Sequence, residues 1–267
     1  MGRSIVVTSG KGGVGKTTLT ANLGYGLSLE GKKVVLVDTD IGLRNLDVIL
    51  GLENRVVYDV VNVAEGTCEL QQALVKDKRL GSSLFLLPAA QTRRKEDISN
   101  DQLKQIVTAL KGAFDYVILD CPAGIEHGFN NAVNSADEAV VVVTPEVSSV
   151  RDADRVIGLL ESAGVNDISL VVNRIKPEMV SSGEMMSVED VLDILAVRLL
   201  GVIPEDRQVI VSTNKGEPII LNEKSLATSA IKAIVDRLEG REVPIPTFGK
   251  RGFWARLSDA ITGRRKQ

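Results

Sequence analysis

Aromatic side chains are scarce in this chain. Phe, Trp and Tyr make up 3 % of its 267 residues, so the core has to rest on Val, Ile, Leu and Ala. Cysteine is almost as rare. Cys68 and Cys121 supply neither a disulfide framework nor the paired spacing of zinc or cluster ligands, and they suit a reducing compartment. The single histidine, His127, has no serine or cysteine nucleophile pattern around it and reads as a loop or helix-start residue. No apolar run is long enough to cross a bilayer. The chain opens directly on a strand-like run, so the expectation is a cytoplasmic protein without a signal peptide. A net charge of −3 argues against a surface coated uniformly for nucleic acid.

What is present is concentrated at the start. Gly10-Lys11-Gly12-Gly13-Val14-Gly15-Lys16-Thr17-Thr18 fits the eight-residue phosphate-loop pattern from Gly10 to Thr17. A β-branched run, Ile5–Ser9, precedes it, and Leu19, Leu23 and Leu27 follow at helical spacing. Strand, glycine loop and helix together make a nucleotide site. Main-chain N–H groups approach a phosphate where side chains are absent, and the helix adds its unpaired amides and dipole. Lys16 is placed to reach the β- and γ-phosphates, and the Thr17 hydroxyl to ligate magnesium. Lys11 is superfluous for the loop's own nucleotide. It makes sense if it reaches a nucleotide held by a second subunit, as an arginine finger does; the alternative is a solvated loop lysine.

Two further strand ends carry carboxylates. Val34–Asp38 runs into Asp38-Thr39-Asp40, which places Asp38 near the magnesium shell and Asp40 beside the attacking water; a pair of turn carboxylates capping the next segment is the other reading. Tyr116–Asp120 repeats the pattern, with Asp120 as the Walker B acid holding magnesium and Gly124 offering an amide that senses the γ-phosphate. Cys121 beside it reads as a small packed residue. Asn173 and Arg174 end another strand, where the Asn amide suits an adenine edge or simply forms a turn. Pro204 and Asp206 follow the next strand and wall the base.

Strand-like runs recur at Leu84–Leu87, Ala139–Thr144, Ile168–Val172 and Leu200–Ile203, apolar on both faces, with amphipathic segments Gln102–Leu110, Val150–Leu160 and Ser225–Leu238 between strands or after the last. Such a pattern predicts an α/β fold: a doubly wound, mostly parallel sheet flanked by helices, of the P-loop NTPase kind, with ligands at the carboxyl ends of the strands. The expected domains are an ATPase body over 1–242, a linker over 243–252 and an amphipathic tail over 253–267.

In that tail Phe253, Trp254, Leu257, Ala260 and Ile261 gather on one helical face. From Gly249 to Gln267 six basic residues stand against one acidic residue, a net +5; with −3 for the whole chain, residues 1–248 carry −8. An apolar stripe edged by cations suits an anionic membrane interface, with Phe253, Trp254, Leu257 and Ile261 as anchors; a tail helix packed on its own domain, or a basic unstructured end, is the alternative.

The Lys11-containing loop, Asp38-Thr-Asp40-Ile-Gly-Leu-Arg44-Asn-Leu-Asp47, Asp120-Cys-Pro-Ala-Gly124-Ile125 and Val202-Ile-Pro-Glu-Asp206 together resemble the deviant Walker A family of ATPases, which includes the ParA and MinD types. The stretch after Asp40 and the tail narrow the resemblance to the MinD branch. It covers almost the whole chain in order. It implies ATP and Mg²⁺ as cofactors and an ATP-sandwich homodimer in which Lys11 crosses to the opposite nucleotide and Asp40 is needed for hydrolysis. It also implies a MinC-like inhibitor and a MinE-like activator as partners, with Arg44, Ile125 and Asp152 as candidates for their surface. Residence is then expected to be cytoplasmic, with reversible binding to the inner face of the cell membrane. A ParA-like partition ATPase on nucleoid DNA is the competing reading, disfavoured because the positive charge sits in the tail. A nitrogenase-type carrier lacks the cluster cysteines.

Overall fold

The computed structural model describes residues 1–246 apart from Ser82 and Glu126. The membrane anchors expected at Phe253, Trp254, Leu257 and Ile261 lie outside the described residues. Among the described residues eight strands form one sheet. They are β1 (Arg3–Thr8), β2 (Val34–Asp38), β3 (Val75–Lys76), β4 (Leu84–Leu87), β5 (Tyr116–Asp120), β6 (Glu138–Val143), β7 (Asp167–Ile175) and β8 (Arg198–Pro204). Their order is β3-β4-β2-β5-β1-β6-β7-β8, and only the two-residue β3 runs antiparallel. The helices are α1 (Lys16–Leu29), α2 (Leu46–Leu50), α3 (Val60–Ala64), α4 (Leu70–Ala73), α5 (Asn100–Lys111), α6 (His127–Val133), α7 (Val147–Ser162), α8 (Pro177–Ser182), α9 (Val188–Leu195), α10 (Arg207–Asn214) and α11 (Leu226–Leu238).

The expected parallel sheet is present, and its strands are apolar on both faces because helices cover both. Strand parity sorts the core: Val6, Val35, Val117 and Val141 join the side of α5, α6 and α7, while Ile5, Val7, Leu36 and Ile118 join the side of α1 and α11. His127 opens α6, one of the two roles expected of it.

Helix α1 is buried along almost its whole length, wedged between the sheet and α11. Two glycines let it fit. A Cβ on Gly24 would come within 2.5 Å of Leu36 in β2, and one on Gly26 within 2.6 Å of Val235 in α11. At its far end Glu30 pairs with Arg241 at 2.9 Å, just past α11. Beyond α11 the chain turns back along the open edge of β8. The Arg237 guanidinium bridges the two, donating to the carbonyls of Leu200 (2.9 Å), Val243 (2.8 Å) and Pro244 (2.7 Å). Pro244 and Pro246 carry no N–H, so this segment shields the edge without extending the sheet.

Candidate nucleotide site

Parallel topology brings the carboxyl ends of β2, β5 and β1 side by side, with Asp38 opposite Asp120 and Asp120 opposite Val7. The glycine loop leaves β1 at this point. Gly15 closes it with φ +101°, and a Cβ there would stand 2.4 Å from the Asn173 amide nitrogen. Only glycine meets both conditions. At the other end of the loop, Gly10 lies so close to α7 that a Cβ would stand 2.3 Å from the Asp152 carbonyl oxygen. Gly12 is not under either constraint, so the freedom expected of all four loop glycines is needed at fewer positions.

No side chain caps α1, so its first amides remain free to take an anion. Lys16 is 7 % exposed and curls back to donate to Ser9 Oγ at 3.0 Å; Ser9 in turn donates to the Lys11 carbonyl at 2.7 Å. Lys11 points the other way. Its ammonium, on a side chain 41 % exposed, pairs with Glu146 at 3.0 Å and reaches Ser148 at 3.2 Å. Its hydrogen bond to Lys11 is the main reason the Glu146 carboxyl sits below its usual range.

The two strand-end carboxylates differ. Burial pushes Asp120 up to about 6, restrained by the hydroxyl of Thr17, the charge of Lys16 and the hydroxyl of Thr20. Burial, then the neighbouring Asp120, pushes Asp38 up to about 8. Both oxygens of Asp38 accept from backbone: Asp40 N–H at 3.0 Å, Asn45 N–H at 3.3 Å and Leu46 N–H at 3.2 Å. Asp38 therefore organises the loop that carries Asp40 and starts α2, close to the capping role weighed above. Thr17 and Asp120 remain the better placed pair for a cation. A half-buried hydroxyl and a buried carboxylate held at elevated pKa beside a lysine fit a magnesium–phosphate group, which would relieve the confined negative charge.

Two adjoining cavities hold the rest. One of about 410 Å³ is lined by Gly13, Gly15, Lys16, Thr17, Thr18 and Asp40, and one of about 160 Å³ by Asn173, Arg174, Pro204 and Asp206 among others. Arg174 borders both. It is exposed, with φ +60°, at a β7–β8 register shift, a strained conformation of the kind kept where a site needs it.

Several expected roles change on inspection. The Asn173 side chain donates to the Val14 carbonyl at 2.7 Å and accepts from Arg174 N–H at 2.9 Å, so its amide props the phosphate loop while Asn173 also lines the smaller cavity. Asp206 accepts from Gln208 N–H at 2.8 Å and Ser225 Oγ at 2.6 Å, so its carboxylate caps α10 while the residue stays in the cavity wall. Arg44 is no open docking charge: its side chain is 12 % exposed and its Nε lies 2.6 Å from the buried Asp47. Ile125 is half-buried against the core, and Asp152 is half-buried behind Gly10. Ser9, Thr20 and Glu146 were missed. Ser9 and Glu146 sit just past strand ends, the position that could have flagged them, whereas Thr20 lies in the second turn of α1 and reaches Asp120 at 3.2 Å.

The chain matches the CobQ/CobB/MinD/ParA nucleotide binding domain over residues 5–219. It is 59 % identical to the septum site-determining protein MinD of Synechocystis sp., over 93 % of both chains. The chain belongs to the MinD family. A MinD chain from the MinC:MinD cell division complex of Aquifex aeolicus superposes with a TM-score of 0.86 at 53 % identity, covering 93 % of this chain and 100 % of that one. The MinD of Pyrococcus horikoshii complexed with Mg-ADP superposes with a TM-score of 0.81 at 32 % identity, covering 90 % and 96 %. As a MinD protein the chain is a septum-site ATPase using ATP and Mg²⁺, and the two cavities around the glycine loop form the place where that chemistry fits.

Proposed function

We propose that this MinD protein is an ATP-timed switch in which nucleotide pairs two copies, the pair holds a membrane, and hydrolysis releases it. The observation that carries the reading is the division of labour between two lysines on one loop. Lys16 is buried toward its own phosphate site, whereas Lys11 stands on the rim with its ammonium held by an exposed glutamate. An exposed ion pair of that kind is worth under about 1 kcal/mol, so a partner's phosphates can take Lys11 from Glu146.

In the paired state the loop amides and Lys16 hold the β- and γ-phosphates, Lys11 reaches across to the opposite nucleotide, and Asp40 orients the attacking water for in-line displacement. Thr17 and Asp120 would hold magnesium, which when bound neutralises developing phosphate charge. The tail's four large apolar side chains contribute roughly 1.5–3 kcal/mol each if fully buried. Ordering the segment costs on the order of 1–2 kcal/mol per residue, so one tail binds marginally. Two tails on a dimer bind about 10²–10⁴ more strongly overall. The protein then divides its time between cytoplasm and the inner face of the membrane. A MinC-like inhibitor is the partner suggested by the A. aeolicus complex, and a MinE-like activator is proposed to trigger hydrolysis.

Co-sedimentation with anionic liposomes and with duplex DNA, each with and without ATP, tests this directly. Lipid binding that needs ATP and residues 253–267 is expected. Lys16→Ala and Lys11→Ala should lose ATP-dependent pairing, and Asp40→Ala should accumulate on lipid. ATP-dependent binding to DNA in place of lipid would overturn the reading in favour of a partition ATPase.

A further inference from the structure

One face of α11 lies along an open groove, with Arg237 at its end bonded to the Leu200, Val243 and Pro244 carbonyls. Leu226, Ser229, Ala230, Ala233 and Arg237 follow helical spacing along it, and Leu226 is 70 % exposed. Together with Pro177 on α8 this face encloses a groove of about 510 Å³, larger than either nucleotide cavity. No part of it belongs to the phosphate site. It does share Pro204 and Glu205 with the smaller nucleotide cavity, so that turn is a common wall between the two.

What lies nearest is the chain's own continuation. Pro244 and Pro246 form the lip of the groove, and Arg237 fixes that lip by gripping the Val243 and Pro244 carbonyls. The remaining chain, 247–267, therefore starts at the groove. Phe253 is seven residues past Pro246, and seven extended residues span roughly 25 Å, ample to turn back. Among the charged residues lining the groove, Lys176 is paired with Glu205 at 2.7 Å, the Arg237 cation is turned onto carbonyls, and Glu178 is an acid without an ion pair among the described residues, so one acid stands open to a basic segment. Lys250 and Arg251 stand three and two positions before Phe253, and the tail as a whole is +5 against a body of −8.

We infer that this groove receives the apolar face of the chain's own tail, Phe253 and Trp254 foremost, whenever lipid does not. The inference rests on the proposed function, since it makes the same side chains serve two alternating surfaces. The tail cannot occupy groove and bilayer together, so the groove competes with lipid and weakens the membrane binding of a single copy. Because Pro204 and Glu205 face both cavities, nucleotide bound in one bears on the wall of the other.

Trp254 is the only tryptophan in the chain, so its emission reports the tail's surroundings without labelling. In the full-length chain with Mg-ADP and no lipid, the emission should be blue-shifted and shielded from acrylamide relative to a free 247–267 peptide, and unchanged on dilution. Ala233→Glu, and separately Ala230→Glu, should return it to the peptide's emission. If the groove is filled nine-tenths of the time, these variants should bind phosphatidylglycerol vesicles in Mg-ADP about tenfold more tightly than the unmodified chain. Emission identical to the free peptide in the unmodified chain overturns the inference, and that measurement needs no variant to fold. Shielding that fades on dilution also overturns it, since the groove would then hold a second copy's tail. Unchanged emission in both variants counts against this groove as the site. ATP-driven sedimentation of the unmodified chain with the same vesicles is measured in parallel. Its loss refutes the proposed function, whereas its survival beside an exposed Trp254 refutes the groove alone.

Discussion

Asn173 and Asp120 illustrate how single side chains at strand ends acquire their roles. The Asn173 amide joins β7 to the phosphate loop across 159 positions of sequence, a link that no local pattern announces. Asn173→Ala should remove a hydrogen bond worth about 1 kcal/mol and leave the Val14 carbonyl unsatisfied. Nucleotide affinity measured by calorimetry is expected to fall several-fold, with only a small loss of thermal stability; undiminished affinity would return Asn173 to the role of a simple turn former. Asp120 and Asp38 were legible as strand-end acids, but which one faces a cation was not, because that depends on three amides supplied by residues 40 to 46. Both acids have folded pKa values above the unfolded one. Their contribution to stability is therefore complete below about pH 4 and is lost as pH rises through about 6 and about 8. Without nucleotide the protein should thus weaken between about pH 4 and pH 8 on their account. Asp120→Asn should raise the melting temperature at pH 8 by an amount worth on the order of 1–3 kcal/mol, shrinking to nothing near pH 4. A variant less stable than the parent at pH 8 would show that the buried charge is already compensated.

Helices and strands were largely readable because each carries its own signature. The seven apolar runs were strands, and Ser225 and Ser99, which accept from N–H groups of the following first turn, cap α11 and α5. The two-residue β3 went unread because its only support is pairing with β4, not any periodicity of its own. Helix α1 was recognisable from its leucines, yet the role of Gly24 and Gly26 was invisible without the neighbours they accommodate. Helix propensity alone would favour Gly26→Ala by about 1 kcal/mol. Overpacking against the β-branched Val235, which cannot swing aside cheaply, costs roughly 1–3 kcal/mol and should win. A lower urea midpoint with an unchanged m-value is the expected outcome. A rise in the midpoint would mean that α11 gives way at little cost.

At the level of the complete chain, the sequence marked residues 243–252 as a linker by composition, but the structure pins its first part. Arg237 holds Leu200 in β8 and the carbonyls of Val243 and Pro244 on one guanidinium. That arrangement was not legible because it joins a helix, an edge strand and a proline-rich segment through carbonyls, which have no sequence identity. Arg237→Gln should cost about 1–3 kcal/mol. Limited proteolysis should then cut between residues 239 and 246 faster than in the parent, whereas equal cutting rates would show the segment to be held by Ile245 packing alone.

A last consequence follows from the position of α1. Its first residue is the phosphate-seeking Lys16, and its C-terminal Glu30 is in salt contact with Arg241, at the root of the tail. Fourteen residues make a rod of roughly 21 Å. Where Gly24 and Gly26 lie, that rod has no side-chain padding to absorb displacement. Any displacement at the phosphate end would meet Leu36 and Val235 directly at these two glycines. One continuous helix thus joins the phosphate site to the ion pair that follows α11.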